Sequence, residues 1–159
     1  MLYIGLDLHK KYSEYAVMDV AGKVLNQGRV QNVPDEMDAF SRSLPPSSSI
    51  AIESSSIWYW ANKLLSQRHT VVLSNPMKNK AIASAKVKTD KIDSVMLATL
   101  LRGGFLAESY VPPRETIDCR ELVRHRANLV RERTRMKNWV HAYLLMNNIS
   151  IDATPFTKE

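Results

Sequence analysis

Short apolar runs recur along the first half of the chain and are separated by polar links. The first three are joined closely, which predicts an antiparallel meander of strands over residues 2–7, 12–20 and 23–30. Two further runs, at residues 49–53 and 70–74, have the length of strands. A nearly continuous apolar run is typical of a strand buried on both faces, so the pattern predicts a five-stranded sheet with a covered interior.

Segments with a helical spacing of apolar residues lie between and after the later strands. They predict helices over residues 32–44, 57–67, 75–85 and 90–102. Because strands and helices alternate here, the later strands should pair in parallel. Nothing breaks a helix between residues 116 and 147, which predicts one helix of about 30 residues, roughly 45 Å long. Its apolar stripe is narrower than a coiled-coil seam but wide enough to hold one partner helix. The stripe recurs every seven positions, at Leu122, Leu129, Met136 and Tyr143.

A meander followed by alternating helices and strands predicts an α/β fold of the ribonuclease H-like type. This is a mixed five-stranded sheet flanked by helices, here with a long C-terminal helix. In that order the first and fourth strands are neighbours, and they end in Asp7 and Glu53. Asp90 and Asp93 are three residues apart and therefore share a helix face. We expect these four acids to meet at one edge of the sheet.

Four carboxylates at one edge of the sheet would repel each other unless a cation neutralises them. Two like charges about 4 Å apart cost roughly 4 kcal/mol at an effective dielectric constant near 20. Carboxylate oxygens suit Mg²⁺ or Mn²⁺, and two such ions can stabilise the attacking and leaving oxygens of phosphoryl transfer. Each acid also has a structural interpretation. Asp7 and Glu53 would be turn or cap residues, and Asp90 with Asp93 a helix N-cap and its partner.

The net charge is +6, and much of it lies on the long helix, where residues 120–137 contain seven basic residues and two acids. Such a stripe indicates a polyanionic partner, most often nucleic acid. Lysines beside the acidic pair form either a second phosphate-contacting surface or a solvated helix face. The aromatic segment at residues 58–60 holds a candidate for stacking on a base. The candidate nucleic-acid contacts are Lys78, Lys80, Lys86, Lys88, Arg120, Arg124, Arg126, Arg131, Arg133, Arg135 and Lys137.

The single cysteine, Cys119, excludes an internal disulfide and suits a reducing compartment. The start of the chain has no signal-peptide pattern, and no apolar run approaches the ~18 residues of a membrane span. A cytoplasmic location without a membrane partner is therefore expected.

Three segments of the chain resemble the N-terminal half of the DEDD transposases of the insertion-sequence "one-ten" family, relatives of the Piv DNA invertases. They are YIGLDLHKKYSEYAVMD, AIESSSIWYW and NPMKNKAIASAKVKTDKIDSVMLATLLRGG. The resemblance implies a RuvC-like domain whose four acids bind Mg²⁺, and the matching positions are Asp7, Glu53, Asp90 and Asp93. It also implies DNA as the substrate, homodimers or higher oligomers, and, in several members, a structured guide RNA. The place of action would be the nucleoid of a prokaryotic cell.

The resemblance also predicts the domain organisation. Residues 1–112 would form the RuvC-like DEDD domain, residues 113–149 a long basic helical segment, and residues 150–159 the start of a missing C-terminal part. The family's second domain carries a serine nucleophile. We therefore expect this chain to keep metal and nucleic-acid binding while being incomplete for full recombination.

Other functions fit parts of the pattern. A Holliday-junction-resolvase-like nuclease would use the same acids, and a non-catalytic module would use the basic helix for nucleic-acid binding or dimerisation. A sugar-kinase or actin-like nucleotide-binding half begins with a similar strand and hairpin. It needs a small glycine-rich turn after the first aspartate, where this chain has the bulky segment LHKK.

Overall fold

The computed structural model describes residues 1–82, 90–151 and 156, with their side chains except those of residues 80–82 and 90–92. The chain divides into two compact units, Met1–Val111 and Pro112–Glu159. The end of the helix predicted over residues 75–85 lies outside the described residues, as do Lys86 and Lys88.

The first unit is built on a mixed five-stranded sheet whose strands lie in the order β3-β2-β1-β4-β5. The first three strands form the predicted antiparallel meander, and β4 and β5 add to it in parallel with β1. This confirms the predicted α/β, ribonuclease H-like sheet, including the pairing of the first and fourth strands. The strands are β1 (Tyr3–Leu8), β2 (Tyr12–Met18), β3 (Val24–Gln31), β4 (Ser49–Glu53) and β5 (Thr70–Ser74).

Five helices accompany the sheet within the described residues, and the predicted long C-terminal helix is confirmed. They are α1 (Pro34–Ser43), α2 (Trp58–Leu65), α3 (Pro76–Ile82), α4 (Asp90–Gly103) and α5 (Arg114–Met146). Proline at the first position of α1 suits a helix start, because its missing N–H would have no intrahelical partner there. The three serines before α2 resemble an N-cap region in sequence, but the cap position is Ile57 and no side chain that the structure describes caps this helix.

One face of the sheet carries the larger hydrophobic core. Ile4 and Leu6 of β1 form it together with Met37 of α1 and Leu65 of α2, and all four side chains are fully buried. Burying a side chain of this size contributes about 1.5–3 kcal/mol. This face therefore fixes β1 and β4 firmly at the centre of the sheet.

The opposite face of the sheet is covered by α4, which packs on β1, β2 and β4. Ala51 of β4 forms a smaller core there with Leu97 and Leu106. Gly5 of β1 lies beneath the helix, and a Cβ at this position would stand 1.9 Å from the backbone oxygen of Ser94. The absence of a side chain at Gly5 therefore lets α4 contact the sheet backbone directly.

A hydrogen bond near the C-terminus of α4 shows the direction in which this helix crosses the sheet. Near its C-terminus, the Arg102 guanidinium donates a 3.4 Å hydrogen bond to the carbonyl oxygen of Val20, in the turn between β2 and β3. That turn adjoins the start of β1, since Tyr3 pairs with Met18. The helix therefore runs antiparallel to β1, and its first turn lies toward the end of β1.

The second unit, described by itself, consists mainly of α5. This helix has 33 residues and is therefore about 50 Å long. None of its residues is buried. Its predicted apolar stripe is open to solvent, with Leu122 70% and Leu129 58% exposed.

Candidate metal centre

Two of the four candidate acids lie at the ends of neighbouring strands. Gly5 pairs with Ala51 and Leu6 with Ile52 in the parallel register of β1 and β4. The paired register ends at Leu6 and Ile52, and Asp7 and Glu53 are the next residues on the two strands. Neighbouring strands are about 4.8 Å apart. We call this place, where β1 and β4 end with these two carboxylates, the acidic edge.

Both acids point to the face of the sheet that α4 covers. Side chains alternate along a strand, so Asp7 shares the face of Gly5, and Glu53 shares the face of Ala51. The side chain of Asp7 is only 9% exposed, and Glu53 is half-buried. A strand held on both faces gives the Asp7 carboxylate a fixed position, as expected for an acid that must meet other ligands.

The other two candidate acids lie in the first turn of α4. Asp90 begins the helix and Asp93 follows one turn later, so the backbone places both toward the end of β1. Asp93 is half-buried, and the side chain of Asp90 lies outside the described side chains. The fold thus ends β1 and β4 at the same end of the sheet, with Asp7 and Glu53 there, and starts α4 toward that end.

A fifth acid lies beside this group and was missed in the sequence. Glu14 of β2 is the antiparallel partner of Asp7, is 4% exposed, and shares the face covered by α4. The Arg29 guanidinium, from the paired position on β3, donates hydrogen bonds of 2.8 and 2.6 Å to Glu14 Oε1. Alternation along β2 places Glu14 on the inner face, and that periodicity is the signal that could have identified it.

His9 is also nearer to the acids than its place in a hairpin suggests. Its Nε2 atom lies 3.1 Å from Asp7 Oδ2, and its ring centre lies 4.8 Å from that of Tyr12, with the two rings tilted by 41°. The turn that carries it is fixed by Asn32, whose Nδ2 donates a 2.6 Å hydrogen bond to the carbonyl oxygen of His9. Ser13 Oγ in turn donates a 2.6 Å hydrogen bond to Asn32 Oδ1.

The chemistry of the donor set fits a hard divalent cation. Asp7 and Glu53 supply carboxylate oxygens, the ligands preferred by Mg²⁺ and Mn²⁺. Glu14 differs from them because its charge is neutralised by Arg29. Among the side chains that the structure describes, no group of three or more histidine, cysteine, aspartate or glutamate residues could hold a metal ion. Asp90 is not among those side chains.

Comparison with known proteins identifies the family. The sequence model of the IS110 group of DEDD transposases, described as transposase, matches residues 4–148. This chain belongs to that transposase family. No curated protein matches the chain.

Membership of the family agrees with the ribonuclease H-like sheet and gives the chain a general function. It is a transposase-family protein, so DNA is its expected partner. No helix in the described part of the chain is long and apolar enough to cross a membrane.

Seven of the eleven candidate nucleic-acid contacts of this transposase lie on α5. Six of the seven candidate contacts there are exposed, and Lys137 is half-buried with its ammonium 5.1 Å from the centre of the Phe156 ring. Some of the arginines also pair along the helix, as Arg124 does with Glu121 at 3.3 Å. Such exposed pairs contribute little and leave the guanidinium groups available to phosphates. In the first unit, Lys78 is exposed, while the side chains of Lys80, Lys86 and Lys88 lie outside those described.

Proposed function

We propose that this transposase domain performs metal-dependent phosphoryl transfer on DNA at the acidic edge. The observation that carries the proposal is the placement of Asp7 and Glu53 on neighbouring parallel strands, facing the helix that begins with Asp90 and Asp93. Carboxylates that meet at one end of the sheet would repel each other, and a bound cation would offset that repulsion.

In this proposal Asp7, Glu53, Asp90 and Asp93 hold Mg²⁺ or Mn²⁺. The bound metal would supply charge stabilisation for the attacking and leaving oxygens of a phosphodiester. The protein's part is to hold the ligands in place. The covered strand β1 fixes Asp7, and contact of α4 with Gly5 fixes the height of the first turn of the helix above the sheet.

The basic residues of α5 would bind the sugar-phosphate backbone of DNA. The exposed arginines present many charges over a helix about 50 Å long, which suits a long polyanion better than a small ligand. We also propose that a structured guide RNA shares this surface with DNA, because a backbone-directed basic surface accepts either nucleic acid. The lysines Lys78, Lys80, Lys86 and Lys88 would contact phosphates near the acids.

The exposed apolar stripe of α5 supports a homodimer or a higher oligomer. Leu122, Leu129 and Met136 are each more than half exposed, and they recur every seven residues. A helix with this spacing buries its stripe against a second helix of the same kind. Sedimentation velocity should therefore show a species larger than a monomer, and Leu129→Lys should shift it to the monomer.

Metal binding is tested by thermal unfolding with and without metal. We expect Mg²⁺ or Mn²⁺ at 100 times its dissociation constant to stabilise the chain by about 2.7 kcal/mol, and so to raise its melting temperature. Asp7→Asn should abolish this shift, because it removes a ligand from the centre of the site.

The matched control is Asp35→Asn, which removes an exposed carboxylate in the first turn of α1. This variant should keep the full metal-dependent shift. A shift of equal size in the unchanged chain and in Asp7→Asn would contradict the proposed ligand set.

A further inference from the structure

A cavity of about 460 Å³ opens beside the acidic edge, and its volume is typical of ligand pockets. Its walls come from the turn after β1, the end of β3, and the segments that lead into α1 and α2. It therefore lies at the end of the sheet that carries Asp7 and Glu53, next to the helices of the opposite face. The lining residues are Lys10, Asn32, Pro34, Ser56, Ile57, Tyr59 and Trp60.

The apolar wall of the cavity is aromatic and well supported. Trp60 is half-buried and packs against the main hydrophobic core. Tyr59 is half-buried and meets Trp58 edge to face, with ring centres 5.6 Å apart. Asn32 is fixed by its hydrogen bonds to His9 and Ser13. A flat apolar ligand would therefore meet walls that are already in place.

The charge at the rim favours an anionic occupant. Lys10 lines the cavity and is exposed, as is its neighbour Lys11. Lys10 follows Asp7 by three residues, and Ser56 follows Glu53 by three. A ligand with an aromatic part in the cavity and a phosphate near Lys10 would thus extend along the sheet end toward the acids.

We propose that this cavity binds one unpaired nucleobase of the nucleic-acid substrate. Aromatic side chains stack on any base, and Lys10 would contact the adjoining phosphate. This inference rests on the proposed function, since it assigns to the cavity the base that is displaced next to the phosphodiester at the acidic edge. Extruding a base is least costly where it is already unpaired, so the cavity would favour distorted over fully paired DNA.

The test measures binding of three DNA duplexes in EDTA: one fully paired, one with a single unpaired thymine, and one with an abasic site at the same place. We expect the unpaired thymine to raise affinity by roughly tenfold, the scale of stacking one base on an aromatic wall. The abasic duplex should bind like the paired one. Tyr59→Ala should remove the preference, while Tyr59→Phe, which keeps the ring, should retain it.

The control for loss of a tyrosine is Tyr110→Ala, because Tyr110 is 73% exposed and does not line the cavity. It should leave the preference unchanged. Lys10→Gln, a substitution of an exposed residue, should weaken binding of the unpaired-thymine duplex more than that of the paired duplex. Lys10→Gln keeps the proposal testable if Tyr59→Ala fails to fold.

Equal binding of all three duplexes by the unchanged chain would overturn the proposal, as would a folded Tyr59→Ala variant that keeps the preference for the unpaired thymine. Because EDTA removes metal, Asp7→Asn should keep the preference for the unpaired base. Loss of metal binding and loss of base preference therefore identify separate failures, the first of the proposed metal site and the second of the cavity.

Discussion

Gly5 decides how closely α4 approaches the sheet. A Cβ at this position would lie 1.9 Å from the Ser94 oxygen and 2.6 Å from the Ala98 nitrogen, and both are backbone atoms that a side-chain rotation cannot move away. Any larger residue must lift the helix. Since α4 begins with Asp90 and Asp93, the same shift would move two of the proposed ligands.

We therefore predict that Gly5→Ala lowers the free energy of unfolding by about 3 kcal/mol, the upper part of the range for overpacking. Urea denaturation measures this change. Gly103→Ala is the matched control, because its new methyl group would meet the ring of Phe105, which is 69% exposed and free to turn aside. It should cost less than about 1 kcal/mol. Equal losses in the two variants would show that α4 does not rest on Gly5.

The acids that end the apolar runs could be placed from the sequence, because a buried strand fixes the position of the residue at its end. Asp7 and Glu53 were predicted to be neighbours in this way, and their strands are paired. Glu14 was not predicted as their neighbour, because its closeness to Asp7 depends on the pairing between β1 and β2. The bond from Arg29 to Glu14 joins residues that are 15 positions apart in the chain.

At the scale of elements, strand and helix bounds followed the hydrophobic period closely. β4 and β5 have the predicted bounds, and α5 begins two residues before the predicted start. The start of α2 differs from its local sequence pattern, because the three serines before it resemble an N-cap region while the cap position is Ile57. Local composition cannot distinguish these two cap positions.

The arginines of α5 are expected to bind the phosphates of DNA. Replacing Arg124, Arg131 and Arg135 with glutamine should weaken DNA binding at low salt. It should also reduce the slope of log affinity against log salt by about 0.9 for each phosphate that the variant no longer neutralises. Fluorescence anisotropy at several salt concentrations measures both. The metal-dependent rise in melting temperature should persist, because the acids are unchanged.

Its control removes the same number of charges elsewhere, by glutamine at Lys23, Lys63 and Arg68, which are exposed in the first unit. This variant should keep the salt slope of the unchanged chain. If both triple variants reduce the slope equally, net charge rather than the α5 surface governs binding.

At the scale of the whole molecule, the order of elements was enough to predict a ribonuclease H-like sheet and the neighbouring positions of β1 and β4. The direction of α4 was not predictable from periodicity. It depends on the close packing of the helix backbone on Gly5 and on the contact between Arg102 and Val20. The family match over residues 4–148 agrees with the fold and names the general activity. The chemistry of that activity depends on whether the four acids share a cation.

The most direct measurement is the anomalous scattering of crystals soaked in Mn²⁺. We expect an anomalous peak for Mn²⁺ bound by the carboxylates of Asp7 and Glu53 together with those of Asp90 and Asp93 from the first turn of α4. Manganese peaks found only elsewhere, with these four side chains directed apart, would contradict it.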